Sequence, residues 1–422
     1  MTPMSLAEII RYTWEHSSFY RAFWGEHGFS PEQFGTVDDL HAIPILTKER
    51  LAQVPLSERT IKTPGTAHYL ADISSGTTQT PLVVLKSNHI PSAHFAYAQA
   101  RAGACQSAMV LRPGVFGTAF LHGGMNAGYF PRGSTVSMGD PRDIPFSAYL
   151  AKEIAMDFLV ARPSDAIRLA HALTVVGYSP ERVTTICCSG EPLTTASASL
   201  LSDLYPTATI LFAYGMTECP AFLGLRTSNC TTLSTIGPGT YHLDTDAFYF
   251  EEYDGRALIT TLVPLPTPLI RYDTGDQIQM SKTVSCACGY TSGLIGSVGP
   301  RTTHAYKIGG CSFSLTAVRQ ALATLEGLVT DDFRLEIEQV RTPADTLALD
   351  IRLAIRPAGV ATPLLIESVL QALKQMPVQK TRSLGDALES TLIRNLEIIP
   401  ESTVSGAALV PPQEITNAFK QT

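Results

Sequence analysis

The most diagnostic segment of this chain reads Ile73-Ser74-Ser75-Gly76-Thr77-Thr78 and follows an apolar run at 68–73. Its small hydroxyl side chains and its glycine leave backbone N–H groups and side-chain donors free to wrap a phosphate group. Such a cluster is, by itself, equally typical of a solvated turn. Two later segments complete the pattern, and they read Ala213-Tyr214-Gly215-Met216-Thr217-Glu218 and Ile270-Arg271-Tyr272-Asp273-Thr274-Gly275-Asp276. The order and separation of the three segments argue against chance.

Together the three segments resemble those of the adenylate-forming superfamily of acyl-CoA synthetases, adenylation domains and luciferases, above all its phenylacetate–CoA ligase branch. Two other stretches extend the resemblance, namely 12–48, which includes Ile43-Pro44-Ile45-Leu46-Thr47-Lys48, and Cys188-Ser189-Gly190-Glu191-Pro192-Leu193. The resemblance runs nearly end to end and weakens in the last third. It implies an α/β fold with a large multilayered amino-terminal adenylate-forming domain and a small α+β carboxy-terminal lid domain.

The bulk composition restricts the class of protein. With 422 residues, 45% of them hydrophobic and 16% charged, the chain reads as a globular protein of one large and one smaller domain. A net charge of −7 and the lack of a basic run argue against a nucleic-acid partner. No apolar stretch is long enough to predict a membrane span, and the first residues lack signal-peptide features. The scattered cysteines, including Cys187-Cys188, favour a reducing cytoplasmic location. A homodimer is left open.

The first 300 residues or so alternate strand-like apolar runs with helical patterns, which favours α/β layering. The runs 182–188 and 207–213 read as buried strands that end where Ser189 and Tyr214 begin the motifs. Ser164-Asp165 is expected to cap the helix between these strands. Ligand loops of open α/β sheets lie at the carboxyl ends of strands, so we expect the site there.

The pattern changes after about residue 299 to that of a small α+β domain. The predicted elements are helices over 314–325 and 365–376 and strands over 333–337, 347–355 and 396–399. We place the boundary near 301–304, which gives an adenylate-forming (AMP-binding) domain over 1–300 and a lid domain over 301–422.

The resemblance assigns a role to each motif of an ATP site. By resemblance, the phosphates are contacted by Ser74, Ser75, Gly76, Thr77 and Thr78, and the adenine side is formed by Ser189, Gly190, Glu191, Pro192, Tyr214 and Gly215. Thr217 would contact the α-phosphate, Glu218 would hold Mg²⁺ and Asp276 would bind the ribose hydroxyls. A carboxylate suits both a hard cation and a vicinal diol. Taken alone, each acid is more typical of a solvated turn, and the joint motif reverses that preference.

Two residues near the domain junction complete the implied catalytic set. Arg301 resembles an arginine that reaches toward the ribose, and Lys307 resembles a position used in the thioester-forming pose. The alternative for Arg301 is an exposed linker arginine.

Three departures from the family pattern weaken the catalytic electrostatics. The phosphate loop continues as Gln79-Thr80-Pro81 instead of Gly-Lys-Pro, and Thr302-Thr303-His304 replaces the hinge acid. The lid lysine that the family brings to the α-phosphate aligns with Ala407 in Gly406-Ala407. The loss of this positive charge could raise the barrier by several kcal/mol, unless Lys420 replaces it.

A second constellation suits a metal. Cys286-Ala287-Cys288-Gly289 is a tight turn in which two thiolates could share one Zn²⁺, with Cys230 and His242 as candidates for the other ligands. Such a closed four-ligand site would be structural, as in some members of the family. The alternative is a set of reduced thiols without metal.

The acyl pocket is expected to be apolar and aromatic, which suits a flat aryl acid. Taken singly, each candidate residue is more typical of ordinary core; the candidates are Phe116, Phe120, His122, Gly123, Gly124, Tyr129 and Phe130.

We therefore predict an ATP- and Mg²⁺-dependent aryl-acid ligase of a biosynthetic pathway, such as antibiotic or other secondary-metabolite synthesis. It would form an acyl-adenylate and pass the acyl group to CoA, to a carrier protein or to another thiol or amine. The departures favour, as the alternative, a catalytically impaired protein that binds AMP or an acyl-adenylate on the same scaffold.

Overall fold

The computed structural model describes residues 3–62, 69–73, 82–87, 105–111, 130, 133–219, 222–282, 286, 288–290, 293–301, 305–325, 327–379 and 382–410. For residues 70, 86, 87, 300, 301, 305, 307 and 379 it describes the backbone alone. Among the helices in these ranges, none is long and apolar enough to cross a lipid bilayer.

An eleven-stranded mixed sheet forms the centre of the amino-terminal part of the chain. After a separate antiparallel pair, β1 (Tyr69–Ile73) and β2 (Val83–Ser87), its strands are β3 (Ser107–Leu111), β4 (Thr135–Met138), β5 (Phe158–Ala161), β6 (Thr185–Ser189), β7 (Thr209–Tyr214), β8 (Gly224–Thr227), β9 (Thr240–Leu243), β10 (Phe248–Tyr253), β11 (Arg256–Thr261), β12 (Tyr272–Lys282) and β13 (Leu294–Arg301).

The sheet changes from parallel to antiparallel at β7. Its spatial order is β4-β3-β5-β6-β7-β8-β9-β13-β12-β11-β10. Strands β3 to β7 pair in parallel, whereas every pair from β7–β8 onward is antiparallel. Strands β3, β5 and β6 of the parallel half are buried along their whole length, as expected for strands covered on both faces. The expected α/β layering is confirmed.

Helices cover both the parallel half and the edge where the amino terminus lies. Their bounds are α1 (Leu6–His16), α2 (Ser18–Glu26), α3 (Lys48–Ala52), α4 (Ile144–Glu153), α5 (Pro163–Val175), α6 (Thr195–Leu204) and α7 (Thr231–Ile236). Helices α4, α5 and α6 pack their apolar faces on β3, β5, β6 and β7 to form one core. Helices α1 and α2 form another core with the antiparallel strands β10 to β12.

The prediction that Ser164-Asp165 caps α5 was wrong, because the N-cap is Arg162. Ser164 and Asp165 lie within the first turn, because Pro163 occupies the first helical position, which its fixed φ favours. The backbone N–H of Ser164 is instead capped by the Glu191 carboxylate, at 3.2 Å, from the loop after β6. The strands predicted over 182–188 and 207–213 are also shorter than expected, since each begins two or three residues later.

The carboxy-terminal part forms its own α+β unit. Its elements are β14 (Ala305–Ile308), β15 (Cys311–Ser314), α8 (Leu315–Ala323), β16 (Val329–Arg341), β17 (Leu347–Pro357), α9 (Pro363–Lys374), β18 (Pro377–Gln379), β19 (Arg382–Ser383), α10 (Leu384–Glu389), β20 (Ile393–Pro400) and β21 (Ala407–Val410). Strands β20, β17, β16 and β21 form a four-stranded sheet, and helices α8, α9 and α10 pack on it around a separate apolar core. The domain boundary near 301–304 stays a prediction, because 302–304 lie outside the described residues.

The close approach of β8 and β9 requires a glycine. A Cβ at Gly224 would lie 2.8 Å from Cβ of Tyr241, a separation that forces one strand to move. We expect Gly224→Ala to cost about 1–3 kcal/mol of stability through this overpacking. Gly293→Ala is the matched control, since nothing lies within 4 Å of its Cβ position. Thermal unfolding of the two variants checks the expectation, and equal melting temperatures would contradict it.

Candidate functional site

The carboxyl end of β7 brings together two residues that the motifs predicted for the nucleotide. Tyr214, the last residue of β7, donates its hydroxyl to Oδ2 of Asp276 at 2.8 Å, although the two are separated by 62 positions. The ring of Tyr214 also lies 5.9 Å from that of Tyr241, with an interplanar angle of 31°. An aromatic face and a buried carboxylate therefore adjoin each other where a base and a ribose would need them.

The sequence around Asp276 explains why β12 is irregular at this point. Gly275 has φ +74°, and its N–H donates to the Asp273 carboxylate at 2.9 Å. The Thr274 hydroxyl accepts from the Asp276 N–H at 3.1 Å and donates to the carbonyl of Ala257 at 2.9 Å. Such local side-chain-to-backbone bonds stabilise turns. They shift the register of β12 against β13 immediately after Asp276.

Glu218, the predicted Mg²⁺ ligand, lies in the segment that leaves β7, beyond the half-buried Gly215 and Thr217. Its side chain is 6% exposed, and its Oε1 lies 3.6 Å from Nζ of Lys48, the first residue of α3. A carboxylate with so little access to water needs a nearby cation, since burial without one is costly. No motif of the sequence singles out Lys48 as that cation.

A buried arginine attaches the segment before Lys48 to β12. Arg271 is 4% exposed and has φ +47°. Its Nη1 donates to the carbonyl of Ile43 at 2.7 Å, and its Nε donates to the carboxylate of Glu251 at 3.0 Å. Burial raises the pKa of Glu251, and Arg271 opposes that rise. The backbone of Leu46 also exchanges hydrogen bonds with Arg271 and Asp273. Arg271 therefore organises the segment rather than facing the candidate nucleotide site.

The loop after β6 is held by its glutamate. Ser189 ends β6, Gly190 has φ +87°, and Pro192 is half-buried. The Glu191 carboxylate accepts from the Ser164 hydroxyl at 2.9 Å and lies 3.9 Å from Nε of Arg162. Burial raises the pKa of Glu191, and Arg162 counteracts this. In this structure the carboxylate of Glu191 thus fixes the loop against α5, and adenine-side contacts by the loop stay a prediction.

Several predicted residues are only partly described. Arg301 is paired through its backbone with Asp276, which places it beside the candidate site. Lys307 lies on β14 opposite Ser312, at the start of the carboxy-terminal unit. The phosphate segment Ser74–Thr78 lies outside the described residues, as do 79–81, 302–304 and Lys420.

Of the candidate acyl-pocket residues, Phe130 alone falls within the described ranges. Its ring packs edge-on against Phe158 at 6.0 Å within a buried apolar cluster, which is a core contact. Phe116, Phe120, 122–124 and Tyr129 lie outside those ranges.

The position aligned with the lid lysine carries a methyl group on a sheet edge. Gly406 has φ +72° and donates its N–H to the Asp332 carboxylate at 2.7 Å. Ala407 then begins β21 and pairs with Phe333 of β16. This segment forms part of the small domain's own sheet.

The structure also brings together the four candidate zinc ligands, which come from three separate places in the chain. Cys230 precedes α7, His242 lies on β9, and Cys286 and Cys288 lie between β12 and β13. Their ligand atoms lie within 4.8 Å of one another, and Cys288 Sγ is 3.4 Å from His242 Nε2. In a tetrahedral zinc site, ligand atoms are about 3.3–3.8 Å apart, given bond lengths of about 2.0–2.3 Å. The cluster would need only a small contraction to bind the ion.

The surroundings of the cluster suit thiolate ligands. The N–H of Thr227 donates to Cys230 Sγ at 3.3 Å, and the N–H of Tyr290 donates to Cys288 Sγ at 3.4 Å. Burial raises the pKa of Cys288 to about 12, so a metal is needed to hold it as a thiolate. Three thiolates and one Zn²⁺ carry a net charge of about −1. The buried Arg226 nearby, whose pKa burial lowers, can balance that charge.

Comparisons with known proteins agree with the motifs. No protein-family model matches the chain. A phenylacetate–coenzyme A ligase of Thermus thermophilus is 27% identical over 361 residues, which cover 77% of this chain and 75% of that protein. A crystal structure of 2-hydroxyisobutyryl-CoA ligase with 2-HIB-AMP and CoA, in its thioesterification state, has a TM-score of 0.64 at 18% identity and covers 99% of this chain and 90% of that one. An open conformation of that ligase gives a TM-score of 0.55 at 19% identity, covering 97% and 87%.

The chain is therefore similar in sequence to a phenylacetate–coenzyme A ligase, and it has the fold of an acyl-CoA ligase of known structure. The α/β fold predicted from the motifs is the fold of that ligase structure.

The hydrogen bonds of Arg271 should stabilise the segment 43–48, and a substitution at Arg271 tests this. We expect Arg271→Lys to cost about 1–3 kcal/mol, because a lysine cannot reproduce the forked hydrogen bonds of a guanidinium. Hydrogen–deuterium exchange should then accelerate over 43–48, where the Leu46 N–H is bonded to Arg271. Arg352→Lys is the control, since Arg352 pairs with Glu397 on an exposed surface. Unchanged exchange over 43–48 in Arg271→Lys would contradict the role.

Proposed function

We propose that the chain is an AMP-forming acid–CoA ligase that activates a carboxylic acid, of the aryl class, as its acyl-adenylate. The observation that carries the proposal is the convergence of Tyr214, Asp276 and Glu218 at the carboxyl end of β7, where the parallel half of the sheet stops. Two of the three are joined by a hydrogen bond, and each has the chemistry that its motif implies.

The residues divide the task of binding MgATP. The ring of Tyr214 provides a stacking face for adenine, and the buried carboxylate of Asp276 can accept hydrogen bonds from the ribose hydroxyls. Glu218 would hold Mg²⁺, which would neutralise charge on the phosphates. Glu218 fits this role, because it is a buried carboxylate whose paired cation can exchange for a metal.

The proposed reaction has two steps. A carboxylate oxygen of the acid attacks the α-phosphorus of ATP, and the bond to the bridging oxygen breaks, so that pyrophosphate leaves with the electron pair. The thiolate of CoA then attacks the acyl carbonyl carbon, and AMP leaves. CoA is the default acceptor, and a carrier protein is the other candidate.

The alternative is a protein of the same fold that binds AMP or an acyl-adenylate without turnover. Ala407 motivates it, since the methyl group in β21 cannot supply the charge of a lysine to the α-phosphate. This alternative predicts nucleotide binding with no pyrophosphate release.

We also propose that Cys230, His242, Cys286 and Cys288 hold one structural Zn²⁺. Four protein ligands would fill a tetrahedral ion and leave no position for a reacting water. The ion would tie β8, β9 and the loop before β13 together behind Tyr241, which contacts Tyr214. Its role would therefore be to keep the antiparallel half in place beside the nucleotide.

Pyrophosphate release tests the ligase proposal. We expect release from ATP and Mg²⁺ with one member of a panel of benzoic, phenylacetic and heteroaryl acids, increased by CoA. Glu218→Ala should lower the rate about 100-fold or more, as expected for loss of an electrostatic group in the transition state. Glu153→Ala, at the exposed end of α4, is the control with the same loss of charge. Silence with every acid, together with calorimetric ATP or AMP binding, would favour the alternative.

Metal content tests the zinc proposal. The purified protein should contain about one zinc ion per chain, and Cys286→Ser should lose it because the remaining ligands no longer close the site. Cys311→Ser, which changes a buried cysteine outside the cluster, should retain the ion. Plasma emission spectrometry gives the metal content. Equal zinc in both variants would contradict the assigned ligands, and metal-free protein from zinc-supplemented cultures would contradict the site.

A further inference from the structure

The ion pair between Lys48 and Glu218 links two parts of the chain that lie far apart in sequence. Nζ of Lys48 lies 3.6 Å from Oε1 of Glu218. The Lys48 side chain is 16% exposed and the Glu218 side chain is 6% exposed. Among the described side chains, Lys48 is the cation that lies within ion-pair distance of Glu218. An enclosed pair of this kind is not a surface salt bridge, since water can replace neither partner cheaply.

A helix cap and a β-bridge fix the backbone on either side of the position of Lys48. Lys48 begins α3, and the preceding Thr47 caps this helix by accepting from the Arg50 N–H at 3.2 Å. Just before the cap, Leu46 forms a parallel bridge with Tyr272 of β12. The segment that supplies Lys48 is therefore fixed to the strand that carries Asp276, so the cation and the two carboxylates share one framework.

Two other described cations near this framework, Arg271 and Arg256, are paired with other groups. Arg271 binds Glu251 and backbone carbonyls, and Arg256 is paired with Asp273. At the position aligned with the lid lysine the chain has Ala407. Lys48 is the described cation that faces the carboxylate assigned to the metal.

We propose that Lys48 is the cation that contacts the ATP phosphates in this chain, and that it is held by Glu218 until the nucleotide arrives. The proposal rests on the proposed function. If Glu218 held Mg²⁺, the ion would engage its oxygens, and the ammonium group of Lys48 would be free to pair with a phosphate oxygen. A phosphate that shared the Mg²⁺ ion with Glu218 would lie next to its carboxylate. The ammonium group of Lys48, 3.6 Å from that carboxylate, would then lie close enough to pair with the phosphate.

Lys48 then replaces, from the amino-terminal side, the charge that the lid of other members supplies. Positive charge fixed beside the phosphorus oxygens stabilises the transition state of the adenylation step. The exchange also keeps Glu218 paired in the absence of nucleotide, so the site is never left with an uncompensated buried carboxylate.

Calorimetric titration of ATP and of adenosine tests the proposal without requiring turnover. In EDTA, without Mg²⁺, Glu218→Gln should tighten ATP binding about 10-fold, because the freed ammonium pairs with phosphate. Lys48→Met should weaken ATP binding by a similar factor, and Lys48→Met/Glu218→Gln should show none of the tightening. Adenosine, which has no phosphate, should bind all variants within about twofold. Lys282→Met, at the exposed end of β12, is the control for the lost charge.

Two results would overturn the proposal: ATP affinity unchanged by Lys48→Met, or ATP and adenosine weakened equally, which indicates a structural role. Wild-type protein that binds ATP but releases no pyrophosphate would overturn the ligase proposal, and the comparison of ATP with adenosine would still decide on Lys48.

In active protein, Lys48→Met should lower kcat about 100-fold, and Lys48→Arg should restore most of it.

Discussion

The hydrogen bonds of the buried Arg271 guanidinium hold together the segments that form the candidate site. It lies at the start of β12 in a left-handed backbone conformation, which a non-glycine residue adopts only when its surroundings enforce it. From there it binds Glu251 on β10 and the carbonyl of Ile43, so that three distant parts of the chain meet at one side chain. A charge buried this deeply is stable only with all its partners present, and for this reason the arrangement is specific.

The change from parallel to antiparallel pairing at β7 determines where in the sheet the candidate site lies. On the parallel side, strands deliver their carboxyl ends to one edge, and the loops after β6 and β7 lie there. On the antiparallel side, β12 returns past this edge and brings Asp276 to Tyr214. The site therefore lies at the junction of the two halves, and the cysteine–histidine cluster lies on the antiparallel half, where β8, β9 and the loop before β13 come together.

Much of this site could be predicted from the sequence, because its residues occur in contiguous motifs. Tyr214 and Asp276 are such residues, and the structure joins them. Lys48 could not be singled out, because its position beside Glu218 depends on the bridge between Leu46 and Tyr272, which are far apart in the sequence. The capping of α5 by Glu191 was missed for a similar reason, since a cap from a distant loop leaves no local pattern. The convergence of Cys230 and His242 with Cys286 and Cys288 likewise depends on strand order, which residue spacing does not determine.

A crystal structure with ATP and Mg²⁺ tests the central claim most directly, namely that these residues form one nucleotide site with its own cation. The account predicts adenine against the ring of Tyr214, ribose hydroxyls on Asp276, and the triphosphate between Glu218 and Lys48, with Nζ of Lys48 on a phosphate oxygen. A nucleotide bound away from the end of β7 would contradict the site. A triphosphate in place with Lys48 still bound to Glu218 would contradict the exchange of partners.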